Sequence, residues 1–344
     1  MKAGIIGATG YGGLELIRFL HQHPEVSSLQ LFSSSEAGES FSAKYGHLQG
    51  IQDAPMEAID EATIASLDVV FASTPAGVTS KLFPSLVDKG AKLIDLSGDF
   101  RLQNRAAYEQ WYGKGAAPQD VLQKSVYGLT EWHADAVKDA ALVANPGCYP
   151  TAVLLSLLPL IKHKLIDPSF LVIDAKSGVS GAGNKPSQGT HYSETNENFS
   201  IYKVNKHQHI PEIEQAISMF AGADVAITFN THLVPMTRGI LATSYAQVQP
   251  GVTQAQLVAC LQETYAQHKF VRVVTDVNAI GTNRVKGSNY CDVFVQLDER
   301  TGRATIVGVI DNLVKGAAGQ AIQNMNVQCG LDESTGLDVV PLFI

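Results

Sequence analysis

The sequence predicts an α/β fold in two parts: a Rossmann-type domain with a parallel sheet, then an α+β domain with a mixed, largely antiparallel sheet. Over the first 150 residues, short apolar runs alternate with segments of helical periodicity. This alternation is typical of parallel strands joined by right-handed helical crossovers. After residue 150, apolar segments follow one another with few helices between them, which indicates antiparallel strands in a mixed sheet.

The first part is predicted to open with a strand at residues 3–6, which ends at glycines and leads into a helix over 14–21. A second strand follows at 29–32. Two more apolar runs, VVFA at 69–72 and KLIDL at 92–96, come after further helical patterns. Because parallel strands need crossovers of this length, we expect these strands to lie in one sheet that is covered on both faces.

The second part begins with a predicted helix over 151–164 and a strand, FLVIDAKSG, that runs into a polar Gly- and Ser-rich stretch at 177–200. Later apolar segments are predicted to be strands: VAITFNTHLVP, GILATSYAQV, CDVFVQL and ATIVGVI. One helix is expected over 253–268 and another over 312–324. The expected domains are a nucleotide-binding domain at 1–147 plus 312–344 and a second domain at 148–311.

The composition excludes several classes of protein. Of the 344 residues, 45% are hydrophobic and 17% are charged, which is unlike a disordered chain. The net charge of −8 predicts no basic surface for nucleic acid or an anionic membrane. The expected partner, from the chemistry described below, is a small-molecule substrate. The most apolar segment, 152–161, is too short to span a bilayer, and the N-terminus is typical of a buried strand, not of a signal peptide.

The four cysteines, at positions 148, 260, 291 and 329, are scattered along the chain. There is no CxxC pair and no histidine cluster at zinc spacing, so neither a disulfide framework nor a metal site is expected. Together with the missing membrane signals, this predicts a cytoplasmic protein.

The sequence GATGYGG, at residues 7–13, follows the first predicted strand and opens the first predicted helix. A glycine-rich turn in this setting lets the backbone approach a pyrophosphate, while the helix N-terminus supplies N–H groups and partial positive charge. A tight turn without a ligand is the alternative, but the strand–turn–helix setting favours a dinucleotide. The residues expected to contact it are Gly7, Thr9, Gly10, Tyr11, Gly12 and Gly13.

The end of the second predicted strand bears on which dinucleotide binds. An NAD site usually has an acidic residue there for the ribose hydroxyls, whereas this strand runs into three serines at 33–35. Ser33 and Ser35 can donate hydrogen bonds to a 2′-phosphate, so NADP is preferred. Glu36 follows directly, and because it is acidic, NAD stays an alternative cofactor.

The segment NPGCYPT, at 145–151, contains the strongest candidate for a reactive group. A Pro-Gly pair at 146–147 forces a turn, and Pro150 suits a first helical position. Cys148 should therefore lie just before or at a helix N-terminus, where the helix dipole lowers the pKa of a thiol. A buried structural cysteine is the alternative, but this favours a nucleophile.

A thiolate beside a nicotinamide site points to interconversion of an aldehyde and an activated acyl group through a thioester. The sulfur attacks the acyl carbon, the leaving group departs, and hydride reduces the thioester to a thiohemiacetal that releases aldehyde. This chemistry needs an acid/base group and cationic residues for an anionic substrate.

Residues suited to these roles occur elsewhere in the chain. Either His207 or His209, before the predicted helix start IPEI, can exchange a proton near neutrality, although a lone histidine is more often structural. Arg101 and Arg238 follow predicted strands and can clamp a carboxylate or phosphate, with a surface ion pair as the equal alternative. The loop SGVSGAG, at 177–183, can approach the nicotinamide half of the cofactor, with a flexible surface loop as the alternative.

Together, these segments resemble the N-acetyl-gamma-glutamyl-phosphate reductase family, the NADPH-dependent enzymes of arginine biosynthesis. The resemblance runs nearly end to end and is carried by GATGYGG, DLSGDFR, YGLTEW, NPGCYPT, SGVSGAG, HQHIPEI, PMTRGI and DNLVKGAAGQA. The cysteine turn and the SGVSGAG loop separate this family from the aspartate-semialdehyde dehydrogenases, which share its architecture and thiolate chemistry.

The resemblance implies reduction of N-acetyl-gamma-glutamyl phosphate by NADPH through a thioester on Cys148, with His209 as the acid/base. It implies a homo-oligomer, a dimer or tetramer, whose catalytic and subunit surfaces lie on the second domain. Gln208 departs from the family pattern, where many members have arginine, and His207 stays open as the acid/base. Beyond the first glycine loop, the cofactor contacts implied are Ser33, Ser35, Ser180, Gly181 and Asn312. The expected substrate contacts are Arg101, Arg238 and Tyr149.

Three other functions stay open at this point. The chain can reduce another acyl phosphate, such as aspartyl phosphate, with the same groups. A cysteine hydrolase or amidotransferase can be built from Cys148 and His209, with the glycine loop only structural. A nucleotide-sensing protein without turnover would bind NADPH and tolerate loss of the thiol.

Overall fold

The computed structural model describes all residues from 1 to 344, and the chain forms two compact units. The first unit comprises Met1–Glu109, Gly113–Asn145 and Ala321–Leu337, and the second comprises Gln110–Tyr112, Pro146–Gln320 and Asp338–Ile344. The predicted domains differ from this division near the C-terminus, since residues 312–320 and 338–344 belong to the second unit.

The first unit is built on a six-stranded sheet in which every strand pair is parallel. Its strands are β1 (Lys2–Ile6), β2 (Ser28–Phe32), β3 (Val69–Ala72), β4 (Lys92–Asp95), β5 (Ser125–Tyr127) and β6 (Leu142–Ala144). Their order, β2-β1-β3-β4-β6-β5, confirms the predicted Rossmann-type arrangement. The strand order reverses at β1, so its carboxyl end lies at the position where such sheets bind ligands.

Seven helices connect these strands: α1 (Tyr11–Leu20), α2 (Phe41–Lys44), α3 (Glu61–Ala65), α4 (Thr79–Leu82), α5 (Arg105–Tyr112), α6 (Gln119–Leu122) and α7 (Thr130–Asp139). All four residues of β3 are buried, as expected for a strand that is covered on both faces. Large apolar side chains from strands and connections fill the core of this unit, among them Phe32, Val70, Phe83, Leu93 and Phe100.

The second unit is built on a seven-stranded mixed sheet, as predicted. Its strands are β7 (Ile166–Gly178), β8 (Ser200–Tyr202), β9 (Thr228–Val234), β10 (Ile240–Val248), β11 (Val271–Val273), β12 (Cys291–Asp298) and β13 (Arg303–Ile310). Their order is β11-β12-β13-β10-β7-β9-β8, with four antiparallel pairs and two parallel ones. The helices that follow β6 are α8 (Cys148–Lys162), α9 (Tyr192–Thr195), α10 (Ile210–Ala221), α11 (Gln254–Tyr265) and α12 (Gly319–Gln328).

The central helix of the second unit is α8, which packs against β10 and β13. Thirteen of its 15 residues are buried, which explains its nearly unbroken apolar sequence. The helix begins at Cys148, three residues before the predicted start at 151, and Pro150 lies in its first turn. The proline is tolerated there because N–H groups in the first turn have no partner within the helix. Even α8, the longest helix, falls short of the length that a membrane span requires, and the same holds for every other helix.

The helix predicted over 312–324 consists of two pieces. A π-helical turn, Val314–Ala318, comes first, and α12 continues from it to residue 328. Single π-turns of this kind are rare and occur often at functional sites, and this one lies against the cysteine described below.

Candidate active site

Cys148 is the first residue of α8, as the cysteine turn predicts. Gly147 caps the helix with extended backbone angles (φ −67°, ψ 156°). The first turn of a helix carries partial positive charge, which favours a thiolate at this position. Cys148 is partly exposed, whereas Cys260 and Cys291 are buried, and burial raises the pKa of Cys260. Of these three thiols, only that of Cys148 combines exposure with a helix start.

The ring of His209 lies directly against the backbone of Gly147. A Cβ atom at residue 147 would come within 2.4 Å of His209 Nε2 and 2.8 Å of its Cδ2, so a larger residue would displace the imidazole. His209 is buried and forms the N-terminal cap of α10. One imidazole nitrogen therefore lies beside the residue that precedes Cys148, within the region where a general acid or base is needed.

His207 has a different role from His209. Its Nδ1 accepts a hydrogen bond from the backbone N–H of His209 at 3.2 Å, and the two ring centroids are 4.7 Å apart. Burial, helped by the positive charge of Lys203, lowers the pKa of His207 to about 3. A protonated His207 would lose the hydrogen bond at Nδ1. The ring is therefore neutral at pH 7 and fixes the backbone of its neighbour.

The lowered pKa of His207 predicts a pH-dependent stability. An unfolded histidine titrates near 6.5, so below that pH the unfolded chain binds a proton that the folded chain, with a pKa of about 3, does not. The free energy of unfolding should fall as the pH is lowered from about 6.5 toward 3, by at most ~1.4 kcal/mol per pH unit for this residue. Denaturant unfolding between about pH 5 and 7.5 should give a smaller pH slope for His207→Asn than for the wild type.

The exposed His21 provides the matched control for this measurement. Because the His21 side chain is exposed to solvent, we expect His21→Asn to leave the pH slope of the wild type unchanged. A slope in His207→Asn equal to that of the wild type would show that another group causes the pH dependence.

Glu212 belongs to the same group of residues around Gly147 as His209, although the sequence motifs do not single it out. Its Oε1 accepts the backbone N–H of Gly147 at 2.8 Å, and the side chain is fully buried. It follows His209 by three residues on α10, so both side chains lie on the same helix face. That spacing is the signal that sequence reasoning missed. One helix start thus supplies both the imidazole and the carboxylate that hold Gly147.

Removing the Glu212 carboxylate should destabilise the fold. In Glu212→Ala the buried N–H of Gly147 loses its acceptor, which costs about 1–3 kcal/mol. Glu212→Gln keeps an oxygen in place and should lose less than half as much. Denaturant unfolding of the two variants checks this order, and equal losses would contradict an acceptor role for this side chain.

Tyr149 and Tyr202 form a hydrogen-bonded pair beside the cysteine. Their hydroxyl oxygens are 3.0 Å apart, and the ring of Tyr149 is fully buried and makes T-shaped contacts with His207 and His209. Burial, together with the Tyr202 hydroxyl and the negative charge of Cys148, raises the pKa of Tyr149. Burial, aided by the same thiolate charge, raises the pKa of Tyr202 to about 12. Both phenols are therefore hydrogen-bond donors at neutral pH.

The π-helical turn covers the other side of the cysteine. A Cβ atom at Gly316 would lie 2.8 Å from the Cβ of Cys148, so only glycine fits at this contact. The N–H of Gly316 donates to the carbonyl oxygen of Asp311 at 3.0 Å, which ties the turn to the end of β13. Cys148, at the start of α8, is thus packed against this turn.

Predicted residues from three loops of the second unit come together. Asn312 Nδ2 donates to Ser180 Oγ at 3.0 Å, while Asn312 Oδ1 accepts the N–H of Gly239 at 2.7 Å. Gly181 lies in the same loop as Ser180, and the Arg238 guanidinium is 3.7 Å from the fully buried carboxylate of Asp311. Because the carboxylate of Asp311 is fully buried, the ion pair that Arg238 forms with it is not a surface ion pair.

The first glycine loop fits a dinucleotide pyrophosphate. Gly7 has a φ of +81°, and Cβ atoms at Gly7 and Gly12 would lie 2.4 and 2.6 Å from atoms of Ser73. Gly10 caps α1 without a side-chain hydrogen bond, and a Cβ there would have no atom closer than 3.7 Å. The loop is thus closely packed on one side and bare at the start of the helix, where a phosphate binds. Thr9, Tyr11 and Gly13 belong to the same turn.

The serines after β2 form a small turn next to an ion pair. Ser33 Oγ accepts the N–H groups of Ser35 and Glu36 at 3.4 and 3.1 Å. Glu36 forms an ion pair with Lys44 of α2, and its hydrogen bond raises the pKa of that lysine. Glu36, the acidic residue on which the NAD alternative depends, is therefore paired with the cation of Lys44.

Arg101 is buried in the first unit. Its Nε donates to the carbonyl oxygen of Asn145 at 2.7 Å and its Nη2 to that of Leu96 at 3.0 Å. These hydrogen bonds fix the chain just after β4 and β6. A role in binding substrate stays a prediction.

Family models match both parts of the chain. A semialdehyde dehydrogenase NAD-binding domain matches residues 2–140, and a semialdehyde dehydrogenase dimerisation domain matches residues 148–312. Among solved structures, aspartate semialdehyde dehydrogenase II of Vibrio cholerae aligns with a TM-score of 0.72 at 15% identity, covering 96% of this chain and 98% of that one. Aspartate semialdehyde dehydrogenase of Candida albicans, solved with NADP, aligns with a TM-score of 0.71 at 18% identity, over 95% and 97%. These structures confirm the fold.

Curated relatives are far more similar. The N-acetyl-gamma-glutamyl-phosphate reductase of Geobacillus kaustophilus is 53% identical over 343 residues, and that of Bacillus subtilis is 52% identical over 344, each covering 100% of both chains. Identity of this extent along the whole length confirms the resemblance expected from the motifs. The chain is a semialdehyde dehydrogenase family member and belongs to the N-acetyl-gamma-glutamyl-phosphate reductases.

Proposed function

We propose that this protein reduces N-acetyl-gamma-glutamyl phosphate to N-acetylglutamate 5-semialdehyde and phosphate with NADPH, a step of arginine biosynthesis. The observation that carries the proposal is the position of Cys148 at the start of α8, with His209 Nε2 against the preceding glycine. The full-length relatives named N-acetyl-gamma-glutamyl-phosphate reductase support the substrate.

In the proposed reaction Cys148 is the nucleophile. Its sulfur forms a bond to the acyl carbon while the bond from that carbon to the phosphate oxygen breaks, which leaves a thioester. When bound, NADPH supplies the hydride that reduces this thioester. His209 gives a proton to the acyl oxygen, which yields a thiohemiacetal, and takes the proton back as the carbon–sulfur bond breaks and the aldehyde leaves.

The choice of His209 over His207 rests on the surroundings of the two rings. His207 Nδ1 accepts the N–H of His209, and its pKa of about 3 keeps it neutral. His209 Nε2 instead lies against Gly147, next to the nucleophile. Arg101, Arg238 and Tyr149 stay our predicted substrate contacts.

We propose NADP as the cofactor, held by the glycine loop at 7–13 and the serines at 33 and 35, with Ser180, Gly181 and Asn312 as contacts from the second unit. Lys44 supports this preference, because its ion pair with Glu36 offsets the negative charge that would repel a 2′-phosphate. The NAD-binding domain model matches residues 2–140, which include the glycine loop and both serines.

We also propose a homo-oligomer, a dimer or tetramer, since the second family model describes a dimerisation domain. The cytoplasm is the proposed compartment, because all four cysteines are free thiols, a state that reducing compartments maintain.

The reverse reaction tests the proposal directly. Purified protein is mixed with N-acetylglutamate 5-semialdehyde, phosphate and NADP, and the absorbance of NADPH is followed. We expect phosphate-dependent NADPH formation, at least about tenfold slower with NAD or with aspartate semialdehyde. Faster turnover of aspartate semialdehyde would assign the chain to a different acyl phosphate.

Cofactor binding separates a reductase from a cysteine hydrolase. NADPH in excess over its Kd should raise the unfolding temperature by mass action. No thermal shift at millimolar NADPH, with no turnover in the reverse assay, would contradict the proposal.

A further inference from the structure

Lys203 lies in the loop between β8 and α10 and has no carboxylate partner. Its Nζ donates a hydrogen bond to Gln208 Oε1 at 2.7 Å, and this is its only side-chain partner. An ammonium group has three N–H donors, so two remain for a ligand. Gln208 itself stands between the two histidines of the active site. The lysine is therefore attached to the part of the chain that presents His209.

The backbone of this loop is held in an unfavourable conformation. Lys203 has a φ of +47°, in the left-handed region that residues with a Cβ atom seldom adopt. Asn205 has a φ of +55°, which asparagine adopts more readily. Such strain persists where surrounding contacts fix it, and it concentrates at functional sites. Here the fixing contacts lead to the cysteine, since the adjacent Tyr202 is hydrogen-bonded to Tyr149 at 3.0 Å.

The charge of Lys203 acts on His207, the residue that accepts the backbone N–H of His209. Its positive charge contributes to the lowered pKa of His207. Although the residue as a whole is exposed, partial burial of the ammonium lowers the pKa of Lys203. A cation that has lost part of its hydration and has no counter-ion gains most from an anionic ligand.

We propose that Lys203 binds an anionic group of the substrate, a carboxylate or a phosphate, and that Gln208 positions the lysine for this contact. The proposal rests on the reductase function above and adds a residue to the substrate site. Both anionic groups occur in an acyl phosphate of an N-acylated amino acid, so the experiment below distinguishes them.

The first experiment compares steady-state kinetics of Lys203→Met with Lys206→Met, an exposed lysine in the same loop. In the reverse reaction, Lys203→Met should raise the KM of one substrate about tenfold and leave kcat within about threefold. A raised KM for phosphate assigns Lys203 to the leaving group, and a raised KM for the semialdehyde assigns it to the carboxylate. Lys206→Met should match the wild type.

An exchanged pair tests the positioning role of Gln208. The double variant Lys203→Gln with Gln208→Lys keeps one cation and one amide in the pair, and we expect it to recover at least half of the lost kcat/KM on a logarithmic scale. Equal KM values in wild type, Lys203→Met and Lys206→Met would overturn the proposal while leaving the reductase function intact.

The second experiment needs neither cofactor nor substrate. Cys148 is alkylated with iodoacetate, which is an anion, and with neutral iodoacetamide, and the ratio of the two rates is measured. Lys203→Met should lower this ratio about three- to tenfold, because the cation no longer attracts the anionic reagent. Lys206→Met should leave it unchanged, and Lys203→Arg should restore it. An unchanged ratio in Lys203→Met would contradict a cation at the anion site even if the variant were inactive.

Discussion

Replacing Cys148 by serine should reduce the rate of the phosphate-dependent reaction by about 10⁴-fold or more. A serine hydroxyl stays protonated at neutral pH, so the nucleophile and the thioester are both lost. The fold should survive, because serine keeps the Cβ atom that lies toward Gly316 and replaces only the sulfur by a smaller oxygen. The measurement is the initial rate of NADPH formation with saturating substrates.

Cys329→Ser provides the control for this substitution. Cys329 is also a partly buried free thiol, but burial raises its pKa, and we assign it no role in the reaction. It should keep the activity of the wild type, and both variants should show the same thermal shift with NADPH. If Cys148→Ser retained a tenth of the activity, the thioester mechanism would be wrong. NADPH binding without any turnover in the wild type would instead favour a nucleotide-sensing protein.

His209→Asn should produce the second largest effect, a fall in kcat of about 10²–10⁴-fold. The variant loses the imidazole nitrogen that lies beside Gly147, so the acyl oxygen has no proton donor. The pH dependence should change as well, since the limb of the kcat profile that reports the imidazole should be absent. Initial rates across about pH 5–9 check both expectations.

His207→Asn is the discriminating partner of that variant. His207 is neutral and accepts a backbone N–H. We therefore expect the kcat of His207→Asn to be at least about tenfold higher than that of His209→Asn. The kcat profile of His207→Asn should retain the limb that reports the His209 imidazole. The reverse order of effects would make His207 the acid/base.

Several elements could be predicted from the sequence because local rules determine them. The strand, glycine turn and helix at residues 2–20 are defined by glycine positions and apolar periodicity, which act over a few residues. The position of Cys148 follows in the same way from the Pro-Gly pair before it. The predicted helix, 151–164, starts three residues later than the observed one at Cys148, since a proline is accepted anywhere in the first turn.

The sequence by itself determined the two sheet types, the dinucleotide loop, the cysteine at a helix start and the family. Only the tertiary structure decided which histidine meets Gly147, which carboxylate holds its N–H, and that Lys203 reaches Gln208 from a strained turn. The physical reason is distance along the chain: Glu212 and Gly147 are 65 residues apart, so packing of α10 against α8 creates the contact. No periodicity or motif near residue 147 encodes that meeting.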